Sequence, residues 1–357
     1  MVIPPNISAV LKAFPRIYRM AQDFYPYLTL IFATFRGRRG WQEHIKSTFS
    51  RLRKDVIIKG RPMNITIEPT NICNLFCPIC ETGAQVLGRD EGHMSLEQFR
   101  SIIDKVGVYT NTLMFYFMGE PFLNKQAYKM IRYAKDVGIP FIATCTNGDP
   151  VQPKMIIESG LDEVNFQIGG MTQETHEIYR INSNLERILT TLKETIRLKR
   201  LHSSRIRILA GFIVMKHNEH EVPNFKKQMT DLGVDGISII NPCVRDMEQG
   251  KKFLPDNKNY WNYDTQAFKN GHLKPIIKPK NKCDWIYYSL SILVNGDVVP
   301  CCRDPKGLMV MGNLLNQNLD EIWNGAPYVN FRKKLLKKQS ELELCRLCSS
   351  YPASQIY

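Results

Sequence analysis

Beyond residue 60 the chain alternates between two kinds of pattern. Apolar, β-branched and aromatic runs at 64–68, 112–117, 139–145, 162–168, 206–215 and 235–240 read as strands, and stretches near 95–107, 124–137, 153–160, 172–202 and 219–232 read as helices. Strands separated by helices of this length predict βαβ units and a parallel sheet. Six such strands predict an α/β fold, a partial (β/α)6 parallel barrel, whose sites gather at the carboxyl ends of its strands. Residues 242–282, rich in Pro, Asn, Lys and aromatics and poor in periodicity, read as a connector over the substrate mouth. From residue 283 a small C-terminal α+β domain is expected. There Leu290–Val294 and Val298–Pro300 flank the hairpin signal Asn295-Gly296-Asp297, followed by a short helix near 318–324 and a basic helix at 327–338. The expected organisation is thus 1–60 as an N-terminal helical extension, 61–241 as the barrel, 242–282 as connector and 283–357 as the small domain.

With 357 residues, 43% of them hydrophobic, the chain has room for one large domain and a smaller one. The formal net charge of +14 is concentrated: residues 1–60 hold eleven Lys and Arg against three Asp and Glu. The same stretch carries a twelve-residue apolar run, Phe24–Phe35, with Arg36, Arg38 and Arg39 directly after it. Such a run is too short to cross a bilayer. Its composition suits an interfacial anchor on anionic lipid, but the favoured reading is an extension packed on the main domain with its arginines in water. No nucleic-acid motif accompanies the charge, so no specific nucleic acid is expected. No secretory leader is evident in the first residues, and a cytoplasmic location is expected, extending to a peripheral place at the inner face of the membrane.

Ten cysteines are too sparse for a disulfide scaffold in a chain of this length. Their short spacings point to metal in a reducing compartment. Cys73, Cys77 and Cys80 form a C-x3-C-x2-C loop directly after the strand-like Ile65-Thr66-Ile67. Three thiolates on one loop suit a cubane iron–sulfur cluster whose fourth iron has no protein ligand. Structural zinc wants a closed set of four, and no fourth Cys or His lies in that loop.

The sequence around that loop resembles the signature of radical S-adenosylmethionine (SAM) enzymes. The resemblance implies a catalytic 4Fe–4S cluster whose open iron chelates SAM, reductive cleavage of SAM, and hydrogen abstraction from a substrate by the 5'-deoxyadenosyl radical. It also implies places for SAM. Met118-Gly119-Glu120-Pro121 resembles the family's Gly-Gly-Glu motif, with Met118 in place of the first glycine, so Gly119 and Glu120 would hold the SAM amino group. Thr144-Cys145-Thr146-Asn147-Gly148 resembles the ribose-contacting Thr-Asn-Gly, which assigns Thr146 and Asn147. Gln167 and Gly169-Gly170 stand where related enzymes have Ser and Asp-Gly, and downstream Arg180 would reach the SAM carboxylate. His217 and Asn218 end the fifth strand. Asn218 reads best as the cap of the following helix. Cys145 reads as a small packed side chain, and Cys243 as a structural thiol in the connector.

Cys283, Cys301, Cys345 and Cys348 follow a C-x12-G-x4-C pattern and then C-x2-C, with Cys302 beside Cys301. This set, with Met311–Leu315 and Glu321–Asn324, resembles the SPASM/twitch extension of radical SAM enzymes. It implies a second, auxiliary 4Fe–4S cluster in a small cluster-binding domain, and the two resemblances together cover residues 61–349. From the residues alone, four thiolates serve a structural zinc as well. Which of Cys301 and Cys302 is the ligand stays open.

The expected function is a radical SAM enzyme carrying out a net oxidation or modification of a phosphorylated, glycan or lipid-linked precursor. Its expected partners are a small-molecule or lipid- or glycan-linked substrate, a reducing protein such as flavodoxin or ferredoxin, and a membrane surface met through residues 1–60. The alternatives are modification of a ribosomal peptide, a non-catalytic iron–sulfur carrier or sensor, and a membrane-surface scaffold with C-terminal zinc. The acid/base residue is not identifiable from the sequence.

Overall fold

The computed structural model describes residues 40–277 and 280–348. The apolar run Phe24–Phe35 and the arginines after it lie outside the described residues. In chain order the elements are α1 (Trp41–Arg53), β1 (Asn64–Ile67), α2 (Leu96–Val106), β2 (Thr112–Phe115), α3 (Ala127–Asp136), β3 (Phe141–Thr146), α4 (Pro153–Ser159), β4 (Glu163–Ile168), α5 (Gln173–Tyr179), α6 (Leu185–Leu201), β5 (Arg207–Ile213), α7 (Val222–Leu232) and β6 (Gly236–Ile240). Then come α8 (Met247–Phe253), α9 (Thr265–Lys269), α10 (Trp285–Tyr288), β7 (Ser289–Ile292), β8 (Asp297–Val299), β9 (Gly312–Asn313), α11 (Leu319–Trp323) and α12 (Ala326–Lys338).

The strands form one sheet in the order β6-β5-β4-β3-β2-β1-β7-β8-β9. The first six are parallel, as the strand–helix alternation requires. β7 then pairs in parallel with the far edge of β1, Asn64 opposite Ser289 and Ile67 opposite Ile292. The C-terminal hairpin therefore continues the barrel sheet. Its turn follows the Asn-Gly-Asp signal: Gly296 adopts φ +84°, and the Leu293 N–H donates to the Asp297 carbonyl.

Alternation along the strands sets two layers. Ile65 and Ile67 of β1, Leu113 and Phe115 of β2, Val164, Phe166 and Ile168 of β4 and Leu290 and Ile292 of β7 are buried in the main apolar core. The opposite positions point into the lumen and are more polar: Asn64, Thr66, Asn165, Gln167, Ser289 and Ser291. Atoms of the Asn64, Asn165, Ser289 and Ser291 side chains are buried without a hydrogen-bond partner. Such groups call for water or a ligand.

One local expectation is corrected. The helix expected over 172–202 is two, α5 and α6, because the chain breaks at Arg180–Ser183. Asn182 takes a left-handed φ of +71°, and the Asn184 side chain caps α6 by accepting from the Arg187 N–H. The segment 242–282 packs an apolar cluster of its own: Val244, Phe253, Leu254, Trp261 and Tyr263 are buried against Leu75, Cys77, Ile79, Tyr179 and Met215. The cysteine loop thus has an apolar cover on one side. No helix among the described residues is long and apolar enough to cross a membrane.

Candidate active site

The cysteine loop leaves the carboxyl end of β1. Burial pushes the Cys73 thiol up to about 12, with Glu120, Cys77 and Cys80 adding to it and the Leu75 N–H, 3.4 Å from Cys73 Sγ, opposing. Burial likewise raises Cys77, against the Arg180 guanidinium, whose Nη1 lies 4.0 Å from Cys77 Sγ. Cys73 and Cys77 so placed are unfavourable as bare thiolates and call for a cationic centre to replace their protons. Among the described residues no group of three or more His, Cys, Asp or Glu is arranged to hold a single metal ion. A cluster distributes its thiolates over separate irons, which a tight single-ion site does not.

Gly119 adopts φ +73° at a close crossing, where a Cβ would lie 2.6 Å from the Thr70 carbonyl and 2.7 Å from that of Ile72. Only glycine meets both demands. This brings Glu120 over the loop, its N–H donating to the Ile72 carbonyl at 2.8 Å. The Glu120 carboxylate is buried and accepts from Thr146 Oγ1 (2.8 Å), the Asn147 N–H (2.7 Å) and the Phe122 N–H (3.3 Å). Burial raises its pKa to about 7, opposed by those donors and by Arg180. A carboxylate has about four acceptor positions, so roughly one remains for a ligand. Asn147 is committed to the loop: its Nδ2 donates to Asn74 Oδ1 at 2.8 Å, and its Oδ1 accepts from the Asp149 N–H at 3.0 Å. Thr146 and Asn147 therefore join Glu120 to the first cysteine.

Arg180 ends α5 beside Cys77, with its buried Nε lacking a hydrogen-bond partner. His176 sets its approach. His176 Nδ1 accepts from the Gly169 N–H (3.1 Å), so Nε2 carries the proton toward Ser183 Oγ (3.0 Å), and burial, then Arg180, lowers its pKa to about 4. Asn218 does not cap by its side chain, contrary to the sequence reading. Its Nδ2 donates to the Gly169 and Ile213 carbonyls, and its Oδ1 accepts from the Met215 N–H, tying the ends of β4 and β5 together. His217 is held below its usual pKa by burial, and its Nε2 has no partner.

The C-terminal cysteines also converge. Cys301 is raised by its hydrogen bond with Cys302, by burial and by Cys302 and Cys283 nearby. Cys345 rises to about 12 through burial, Cys283 and Cys348, with Arg303 opposing. Cys302 is half-buried beside its buried neighbour Cys301. Cys243 is exposed, 3.9 Å from Arg303 Nη2 and 4.0 Å from Asn262 Nδ2. Cys145, read as a small packed side chain, is half-buried on the lumen side of β3, and all ten cysteines are free.

Three features were not singled out from the sequence. Glu68, fully buried at the end of β1, accepts two bonds from Arg89 (2.7 and 2.8 Å), one from the Met118 N–H (3.3 Å) and one from the Val294 N–H (2.9 Å). Arg89 Nε also donates to the Pro305 carbonyl at 2.7 Å. This pair joins the cysteine loop, the Gly119–Glu120 loop and the C-terminal hairpin. Tyr116, just past β2, has a hydroxyl with no hydrogen bond among the described residues. Burial, then Cys145, Cys302 and Glu163, raise its pKa and keep it a phenol. Arg303 stands between Cys243 and the C-terminal set. A charge inside an otherwise apolar strand end was the available signal for Glu68; its partner, far along a loop, gave none.

Residues 67–228 match the model of the radical SAM superfamily, and residues 283–349 match SPASM, an iron–sulfur cluster-binding domain. The chain belongs to the radical SAM superfamily and carries a SPASM domain. It is accordingly an enzyme whose cofactors are a 4Fe–4S cluster, SAM and auxiliary iron–sulfur centres. It is similar to the tungsten-containing aldehyde ferredoxin oxidoreductase cofactor-modifying protein of Pyrococcus furiosus, 23% identical over 316 residues, 79% of this chain and 86% of that one. It is also similar to the AdoMet-dependent heme synthase of Oleidesulfovibrio alaskensis, 27% identical over 228 residues, 60% of this chain but only 56% of that protein. In fold it resembles Streptococcus suis SuiB bound to its precursor peptide SuiA, with TM-score 0.60, 12% identity and coverage of 88% of this chain and 74% of that one. Native anSMEcpe with bound AdoMet gives TM-score 0.54 and 16% identity over 81% of this chain and 88% of that one.

The residues present fit these groups. Three cysteines on one loop, Cys77 buried and Cys73 and Cys80 half-buried, an orphaned guanidinium N–H beside Cys77 and a glycine crossing that admits no side chain are what a cluster and a zwitterionic ligand require.

Proposed function

We propose that this protein oxidises a phosphorylated, glycan-bearing or lipid-linked precursor by radical SAM chemistry. Cys73, Cys77 and Cys80 are the ligands of the catalytic cluster, and Cys283, Cys301, Cys345 and Cys348 those of a single auxiliary cluster. When bound, the cluster and SAM supply a 5'-deoxyadenosyl radical that takes hydrogen from a substrate carbon. Glu120 receives the SAM ammonium in its remaining acceptor position. A cationic ligand there would offset the burial that raises its carboxyl to about 7. Arg180, whose Nε has no partner, would hold the SAM carboxylate, and Gly119 and Thr146 with Asn147 would shape the approach. Tyr116, held as a phenol, donates a hydrogen bond to a substrate oxygen in the lumen.

The reading of net oxidation follows from the closed second thiol set, which leaves no open iron for substrate. The substrate class follows from the basic N-terminal sixth of the chain, which also favours work near the inner face of the membrane. A flavodoxin or ferredoxin is the reductant this chemistry asks for. The observation that carries the proposal is the joining of both cysteine sets through one buried ion pair, Glu68–Arg89, on one continuous sheet.

Anaerobic reconstitution with iron and sulfide counting tests it. About eight irons are expected for two cubane clusters, with 5'-deoxyadenosine formed under dithionite and lost in Cys77→Ala. About four irons with one zinc would remove the auxiliary cluster, and iron without SAM cleavage in the presence of candidate precursors would favour a carrier.

A further inference from the structure

Helix α1 is built inside out. Trp41, Ile45, Phe49 and Leu52 recur at the spacing of a single helical face, yet Phe49 and Leu52 are 58% and 57% exposed, and Ile57 just beyond the helix is 62% exposed. The buried stripe is polar: Glu43, Ser47, Thr48 and Ser50. That orientation is fixed from the inside. Glu43 accepts from the Arg61 N–H at 2.9 Å and from Lys46 Nζ at 2.8 Å, Ser50 Oγ accepts from the Lys59 N–H at 3.1 Å, and Thr48 Oγ1 shares a 2.9 Å bond with the Tyr288 hydroxyl. Gly60 crosses so closely that a Cβ there would lie 2.2 Å from the Glu43 carbonyl and 2.3 Å from Ser47 Oγ. The helix cannot roll to bury its apolar face without breaking this set.

The outward face is also cationic. Lys46, Arg53, Lys54 and Lys59 are exposed around it, while Glu43 is turned inward and Asp55 is engaged by Arg53 at 3.1 Å. In the sequence the aromatic run Phe24–Phe35 and Arg36, Arg38 and Arg39 lead directly into it. An apolar stripe bordered by lysine and arginine, with acids removed, complements an anionic lipid surface: apolar side chains enter the headgroup boundary and the cations meet the phosphates.

We propose that the surface formed by Phe49 and Leu52 of α1 with Ile57 just beyond it is a membrane-docking surface for anionic lipid, lying in the plane of the interface. The proposal deepens the membrane-proximal reading given above and rests on it for its purpose, but its test needs neither substrate nor SAM turnover. A failed substrate search with intact vesicle binding, and failed vesicle binding with intact SAM cleavage, are therefore separate results.

Full-length protein is sedimented with phosphatidylglycerol vesicles and with phosphatidylcholine vesicles. Binding to the first and not the second is expected, weakening as salt rises. Phe49→Ser/Leu52→Ser should lower the partition coefficient at least ~10-fold, with helical circular dichroism and iron content unchanged because both residues are exposed. Lys54→Gln/Lys59→Gln should weaken it several-fold at low salt only. Sedimentation of the double apolar variant like wild type overturns the proposal, as does failure of both vesicles to bind. A change of oligomeric state in that variant with lipid binding intact would give the face to a second copy of the chain and also overturn it.

Discussion

Replacing Arg89 by methionine would strip Glu68 of its counter-ion where the carboxylate has no solvent contact. The ion pair is bidentate, with Glu68 0% and Arg89 12% exposed, and the two backbone donors left, Met118 and Val294, do not supply a charge. Breaking a buried pair from one side typically costs about 3–5 kcal/mol. Glu68 limits that loss by taking up a proton. Against an ordinary pKa of 4.5, neutralisation caps the electrostatic part at roughly 5 kcal/mol at pH 8. Its folded pKa is already raised by burial with Arg89 present, and Arg89→Met raises it further. The sign follows: near pH 4 the carboxyl is protonated in both folded and unfolded states and the penalty vanishes. It then grows with pH as the unfolded chain ionises and the folded one resists. Urea unfolding of the anaerobic apoprotein should give a wild-type-to-variant difference of about 1 kcal/mol near pH 4, from lost hydrogen bonds, rising toward about 3–5 kcal/mol at pH 8. Adding Glu68→Gln should flatten that pH dependence. A difference below about 1 kcal/mol at pH 8, with no slope, would match an exposed pair and refute the role assigned to Glu68–Arg89.

Gly119→Ala should cost about 1–3 kcal/mol through backbone strain and the 2.6 Å contact with the Thr70 carbonyl, and calorimetry should show weakened SAM binding. Gly211→Ala provides a contrast: its Cβ would meet Gln167 Nε2 at 2.4 Å and Asn165 Oδ1 at 2.7 Å, both ends of movable side chains, so the melting temperature should barely change while the lumen narrows. A large loss of stability there would mean that those amides are locked. For Glu120, with its pKa raised to about 7, stability is fully present below pH 4.5 and falls as pH rises toward 7. Across that window wild type should lose up to roughly 3 kcal/mol relative to Glu120→Gln in apoprotein urea melts, and parallel curves would show that Glu120 ionises freely.

Strands β1 to β6 were legible to within a few residues because each sets buried apolar or β-branched positions in a short stretch between helical patterns, the signature of strands separated by crossover helices. The cysteine spacings were legible because short-range geometry is written in the spacing itself. What escaped was long-range. Nothing in Glu68 names Arg89, and nothing in Ser289–Ile292 says that it will pair with β1. The helical pattern over 172–202 was real, but the left-handed turn at Asn182 and the Asn184 cap divide it and leave Arg180 at a helix end. Asn218 has the chemistry of a cap and uses it between strands instead. In α1 the periodicity declared a helix, while the choice of buried face was made by hydrogen bonds to Arg61, Lys59 and Tyr288 that no local pattern contains.

The pairing of β1 with β7 has a consequence for biosynthesis. As the chain leaves the ribosome, β1 gains its β2 neighbour early, but its other edge waits for residue 289 and beyond. Until then Asn64–Ile67 is an open edge strand beside the cysteine loop, a template for mispairing in a topology whose closing contact is very distant in sequence. The Val294 N–H that completes the Glu68 cage arrives on that same late hairpin. Metal loading of the first loop before release would therefore act on an unfinished cradle, which favours a maturation order in which the C-terminal strands close the sheet first and iron follows.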